Sequence, residues 1–227
     1  MAESGTRDQN KDQAQGNAQD RRCRGRPQLR PDQETRQIIY EAARQEFAGN
    51  GYAATSMETV ARRAGVSTKT LYRLIPNKAT LFEGMVSDRL DRFLSQFHLQ
   101  ADQVDIGEAL YAALMACADL MLDQEVVGLQ RMILQETGKF SDLAGTFYNN
   151  GIKRTAAALA DWLRVQEKRG RIVLDDADEA AGMLLGMLSS APQRAAIFGG
   201  VPMPTRRQIE ARVRTCVKLF LRGCQPA

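Results

Sequence analysis

The residues best suited to chemistry lie in one short stretch, GVSTKTLYRLIPNK, running from Gly65 to Lys78. Thr68, Lys69 and Thr70 follow one another there, and each can address the edge of a base pair. A lysine ammonium donates to guanine O6 and N7, and a threonine offers a hydroxyl together with a methyl group that suits thymine. Ser67, just ahead, can cap the helix that carries them. The phenol of Tyr72, the hydroxyl of Thr55 and the ammonium of Lys78 suit phosphate oxygens on either side. Lys78 also stands at a helix start, where backbone N–H groups already favour an anion. The groups for catalysis are missing. The chain has no G-x-S-x-G, G-x-G-x-x-G or Walker A pattern and no Cys/His pair to supply a nucleophile and a base, His98 being the only histidine. The four cysteines, Cys23, Cys117, Cys216 and Cys224, make no CxxC or other zinc-ligand spacing. Neither an enzyme, a metal site nor a cofactor is expected.

About two turns of helix do not stand alone in water, so longer neighbours must brace this stretch. Placed at 100° intervals, Leu71, Leu74 and Ile75 share one side, with Lys69 and Arg73 opposite. The preceding TSMETVARRAG reads as a helix that buries Met57, Val60 and Ala61 and ends at Gly65, with Thr55 and Glu58 at capping-box spacing. Before it, a helix opening near Asp32 presents Ile38, Ile39, Ala42, Ala43 and Phe47 on one face and ends at Gly49 and Gly51. Pro76 and Asn77 stop the short helix, and Asn77 can cap a long fourth one through Leu81, Phe82, Met85, Leu90 and Phe93. Helix, glycine-containing turn and second helix over 56–75 form a helix-turn-helix within a domain spanning 32–95. The bland alternative is a pair of adjoining helices whose polar residues are simply solvated.

Charge favours the nucleic-acid reading. The formal net charge is +4, and residues 1–85 hold 14 Lys/Arg against 10 Asp/Glu, while the remainder has 17 of each. An anion-facing front third thus precedes a neutral body. Residues 1–31 read as a disordered basic arm with five arginines between Arg21 and Arg30. Arg24-Gly25-Arg26-Pro27 matches the core of an AT-hook, whose arginines enter a narrow minor groove; general phosphate attraction is the alternative.

The stretch IIYEAARQEFAGNGYAATSMETVARRAGVSTKTLYRLIPNKATLF closely resembles the DNA-binding domain of TetR-family transcriptional regulators. The resemblance covers about residues 32–85. It implies that Thr68, Lys69 and Thr70 read bases while Thr55, Tyr72 and Lys78 hold the backbone. Leu74 and Ile75 depart from the His or Tyr followed by Phe that such proteins often carry, so no polar DNA contact is expected from position 74. The later LQRMILQETGKFSDLAGTFYNNGIKR, LADWL and DADEAAGMLLGML resemble the AefR-like subgroup. The family implies a helical body that binds a small molecule and dimerises.

Beyond residue 96 the pattern is helical throughout, with helices expected near 106–123, 125–137, 141–169, 176–197 and 204–222. The fold class is therefore all-α, a three-helix head joined to a larger ligand-binding and dimerisation domain over 96–227. Tyr111, Met115, Met121, Met132, Phe147, Tyr148 and Trp162 can line an adaptable apolar pocket or equally form core. Leu184, Leu188, Val213, Val217 and Phe220 lie on two apolar stripes that can pair across a two-fold axis or bury themselves within the protomer. The acids of Asp175–Asp178 suit the positive start of a helix better than a metal. The expected function is a cytoplasmic, sequence-specific regulator: a homodimer on a palindromic double-stranded operator, released by a small apolar or amphipathic effector, with no membrane partner. Activation, or an architectural DNA-binding role without a ligand, are the alternatives.

Overall fold

The computed structural model describes residues 30–97, 105–136 and 140–224, with Gln96, Phe97, Ser141 and Cys224 described by backbone alone. The chain divides into two units, Met1–Pro31 and Asp32–Ala227. Arg24, Arg26, Cys23 and His98 lie outside the described residues. Within the second unit every regular element is helical: α1 (Asp32–Ala54), α2 (Met57–Arg63), α3 (Thr68–Leu74), α4 (Lys78–Phe97), α5 (Ile106–Met121), α6 (Gln124–Glu136), α7 (Ser141–Phe147), a π-helical turn (Tyr148–Lys153), α8 (Arg154–Lys168), α9 (Ala177–Phe198) and α10 (Arg206–Cys224).

The first helix outruns its expected end. It bends at Gly51, whose φ of 80° and ψ of 166° only glycine adopts readily, and carries on to Ala54. The bend delivers Tyr52 to the core, where its ring stacks on Phe47 at 5.4 Å and meets Phe82 at 6.0 Å and Phe140 at 5.1 Å edge-on. Buried side chains of α1 to α4 share this core with Leu129, Met132 and Ile133 of α6 and Leu143 of α7. Helices downstream of the head thus complete the head's own interior. Gly84 lets α4 lie close on α1, since a Cβ there would stand 2.4 Å from the Tyr40 hydroxyl.

A second core joins the end of α4 with α5, α8, α9 and α10, around the fully buried Leu110, Leu114, Leu159, Leu163, Leu184, Leu188 and Val213. The continuous helix expected over 141–169 is instead α7 and α8 joined by the π turn. Apolar spacing alone does not report a widened turn. Asp176 caps α9 by accepting from the backbone N–H of Asp178 at 2.8 Å and Glu179 at 3.1 Å. Among the described residues, no helix is long and apolar enough to cross a membrane.

Candidate nucleic-acid interface and interior cavity

The short helix α3 is braced on three sides. Leu71 and Ile75 are fully buried and Leu74 nearly so, so the departure from polar residues at 74 and 75 serves packing. At the N-terminus Ser67 accepts from Thr70 N–H at 3.0 Å. At the C-terminus Arg36 donates to the Leu74 carbonyl at 2.7 Å, and Arg73 makes a two-point contact with Asp32 at 2.9 and 2.8 Å. The start of α1 therefore holds the end of α3. Ser67, Thr68 and Lys69 are exposed and Thr70 half-buried. The Thr70 hydroxyl lies 2.8 Å from that of Ser67, so its polar group is engaged in the cap. Among the described residues, no carboxylate pairs with Lys69, which leaves this cation in the first turn available to an outside anion or acceptor. Tyr72 is exposed and its phenol donates to Glu58 at 3.1 Å, a bond that raises the phenol's pKa and lowers that of the carboxyl.

Two of the groups expected at phosphates, those of Thr55 and Lys78, are engaged within the protein. Thr55 is only 2% exposed, and its hydroxyl donates to the Gly51 carbonyl at 2.7 Å and the Glu46 carbonyl at 3.3 Å. It closes the bend of α1. The capping box accordingly moves one residue on, to Ser56 and Thr59, each accepting the other's backbone N–H at 3.1 Å. The Lys78 ammonium points inward as well. It donates to the carbonyls of Tyr52 at 2.8 Å and Thr55 at 2.9 Å, has that of Ala53 at 3.5 Å, and lies 4.4 Å from the Tyr52 ring centroid. Three N–H groups meet three carbonyls, and burial holds the ammonium pKa below its usual range. Asn77, not Lys78, serves the start of α4, accepting from Thr80 N–H at 2.8 Å.

The body holds a cavity of about 410 Å³, within the range of small-molecule sites, roughly 300–1,000 Å³. Its apolar walls include Met85 and Leu90 of α4, Leu120 of α5, Leu129 of α6, Leu185 and Ile197 of α9, while the π turn supplies Gly151 and Ile152. Of the residues expected here Met121 and Phe147 line it. Tyr111, Met115 and Trp162 line a separate recess between α4 and α5 that reaches Arg206. Met132 is buried in the head's core, and Tyr148 is exposed, with the Lys153 ammonium 5.9 Å from its ring centroid. The polar lining was missed in sequence altogether. Arg44 of α1 sits three residues after Glu41, a spacing that reads as a solvated pair, yet it is buried against the cavity.

Of the two readings of the apolar stripes of α9 and α10, the one that holds at the positions named is packing within the protomer. Leu184, Leu188 and Val213 are buried inside the protomer, and Val217 and Phe220 are half-buried against the same core. The exposed large apolar side chains on these helices are Met183, Met187, Phe198 and Leu219. Met187 and Leu219 border a shallow groove with Ala211 and Thr215.

A braced, partly polar short helix behind a tight glycine turn, on a helical body with an interior cavity, is the arrangement of a helix-turn-helix DNA-binding protein. Residues 39–85 match the family model of bacterial regulatory proteins of the tetR family, and residues 108–224 match that of the AefR-like transcriptional repressor C-terminal domain. The chain belongs to the TetR family, with an AefR-like C-terminal domain. A TetR-family regulator from Mesorhizobium loti MAFF303099 has a similar structure, with 27% identity, a TM-score of 0.75 and coverage of 87% of this chain and 100% of that one. The flavonoid-responsive regulator FrrA is 30% identical with a TM-score of 0.65, over 86% of this chain and 98% of its own. The HTH-type transcriptional regulator YvkB of Bacillus subtilis (strain 168) is 26% identical over 161 residues, 68% of this chain and 79% of YvkB.

Proposed function

We propose that this regulator is a homodimeric repressor that leaves its operator when a small apolar or amphipathic molecule fills the cavity. The observation that carries this reading is the path of α4. Its first turn is anchored beside the helix-turn-helix through Asn77 and Lys78, and its middle forms cavity wall through Met85, Val86, Arg89 and Leu90. At about 1.5 Å per residue a continuous helix transmits a displacement of one end to the other. A ligand that alters the set of α4 moves the head. Because both half-sites of an operator must be met at once, roughly 34–36 Å apart, a shift of a few ångströms in each head removes much of the affinity.

Lys69, Thr68 and the Thr70 methyl are then the base-reading groups, with Tyr72 and Ser67 at the phosphates. Repression is supported by the description of the matched C-terminal family, and ligand response by a relative named for its response to flavonoids. The direct test is to select binding sequences from random duplex DNA with the full chain and then titrate candidate effectors into the complex. A palindrome with a ten-base-pair-scale centre spacing, released by an apolar compound, is the expected result. An asymmetric site, or an operator complex indifferent to every compound that binds the cavity, rejects the reading.

A further inference from the structure

Arg44 is buried to 4% exposure, a position that a guanidinium, which does not give up its proton, occupies only at high cost unless its donors are met. They are not all met. Its Nη2 donates to Glu41, but Nε and Nη1 make no hydrogen bond. Glu125 stands 3.6 Å from Nε, near enough for charge attraction but not for a bond, and the same carboxylate oxygen already accepts from Arg89 at 3.2 Å. Arg44 and Arg89 both line the apolar cavity, and both also line a polar recess shared with Glu41, Arg92, Asp123 and Glu125. Two cations therefore mark the seam between an apolar chamber and a polar one.

The cavity's other polar side chains are largely provided for. Ser189 donates to the Leu185 carbonyl and Thr155 to the Gly151 carbonyl, each at 2.9 Å, and Gln193 donates to the Met121 carbonyl at 2.9 Å. What the site lacks is an acceptor for Arg44, and what it has is apolar volume beside it. We propose that the cavity takes an amphipathic anion, a carboxylate on an apolar body, with the carboxylate seated on the Arg44 guanidinium. Arg44 belongs to α1, two residues from Glu46, which holds Arg63 of α2 at 2.5 Å. The headgroup is thus read by the helix that also grips the helix-turn-helix. This inference rests on the cavity being the effector site and adds the chemical class of the effector.

The test uses the full chain and three probes of equal length, octanoate, 1-octanol and octylammonium, with binding followed by calorimetry. Octanoate should bind about tenfold or more tighter than 1-octanol, as expected of a charge-assisted contact in a dry site, and octylammonium weakest. In R44M the preference for octanoate should vanish while 1-octanol still binds, which also shows that the cavity persists. E125Q removes a competing carboxylate and should tighten octanoate, a direction that loss of structure does not produce. Equal affinity for octanoate and 1-octanol in the unaltered chain, no binding of any probe, or a preference that survives in R44M overturns the proposal. Octanoate bound through Arg44 without effect on the operator complex would leave this site standing and remove the regulatory reading. Release by 1-octanol with no advantage to octanoate would do the reverse.

Discussion

Two lysines nine residues apart in chain order, Lys69 and Lys78, carry the same charge and are set to opposite tasks by what surrounds them. Lys69 is exposed with no carboxylate partner among the described residues, so its ammonium keeps its donors for an outside acceptor. Lys69→Ala should relax preference at one base step in each half-site, costing about 1–3 kcal/mol per contact. Competition binding against operators varied at single positions measures this, and an equal loss on every sequence would move Lys69 to the phosphates. Lys78 has spent its donors on the carbonyls that close α1. Replacing it with methionine should lower the melting temperature, each such charge-assisted bond contributing about 1.5–3 kcal/mol, and leave the salt dependence of operator affinity alone. A melting temperature unchanged from that of the parent chain, together with a flatter salt slope, would restore the phosphate role.

At the level of helices, α1 is the organising element. It caps α3 through Arg36 and Asp32, ties α2 through Glu46, and touches the cavity through Arg44. Gly51→Ala should cost about 1–3 kcal/mol, because a side chain is strained in that backbone region, and a thermal melt no lower than that of the parent chain would show the bend to be set elsewhere. The Glu46 tie is also sensitive to acid. Its hydrogen bond from Arg63, then that from Asn50, hold the carboxyl below its ordinary value of 4.5 against the opposing effect of burial. Its contribution is therefore complete above the unfolded carboxyl's pKa and is lost as pH falls through the lower folded value. Glu46→Gln should flatten the acid limb of stability against pH, and an acid limb identical to that of the parent chain would locate the sensitivity in other carboxylates. The elements were legible in the sequence because their signals are local: the 3.6-residue spacing of Leu71, Leu74 and Ile75, the Gly65 turn, and the Ser67, Asn77 and Asp176 caps. The internal bonds of Thr55 and Lys78 were not legible because a hydroxyl or ammonium shows no direction in sequence. The cavity was misread for a different reason. Its walls come from eight helical elements spread along the chain, and no spacing within one helix distinguishes a residue facing a void from one facing a neighbour.

Across the whole molecule, charge and apolar surface separate cleanly by position. The excess of positive charge lies in residues 1–85, while Met183, Met187 and Leu219 remain exposed on α9 and α10 near the other end of the chain. Leu184, Leu188 and Val213 are buried within the protomer, so an association between copies through these two helices would use their outward side chains, Met183, Met187, Phe198 and Leu219. Spacing supports it: Met183 and Met187 are one helical turn apart, as are Ala211, Thr215 and Leu219, so each helix offers a single narrow stripe. Charging both stripes, with Met187→Glu and Leu219→Glu together, should leave helix content intact, since neither side chain belongs to a core. It should convert a dimer into a monomer in sedimentation and weaken the operator complex by about 10²–10⁴-fold, the advantage that linking two heads confers. If the doubly charged chain still sediments as the parent does, copies associate through another face, and the separation of the two heads must be sought there.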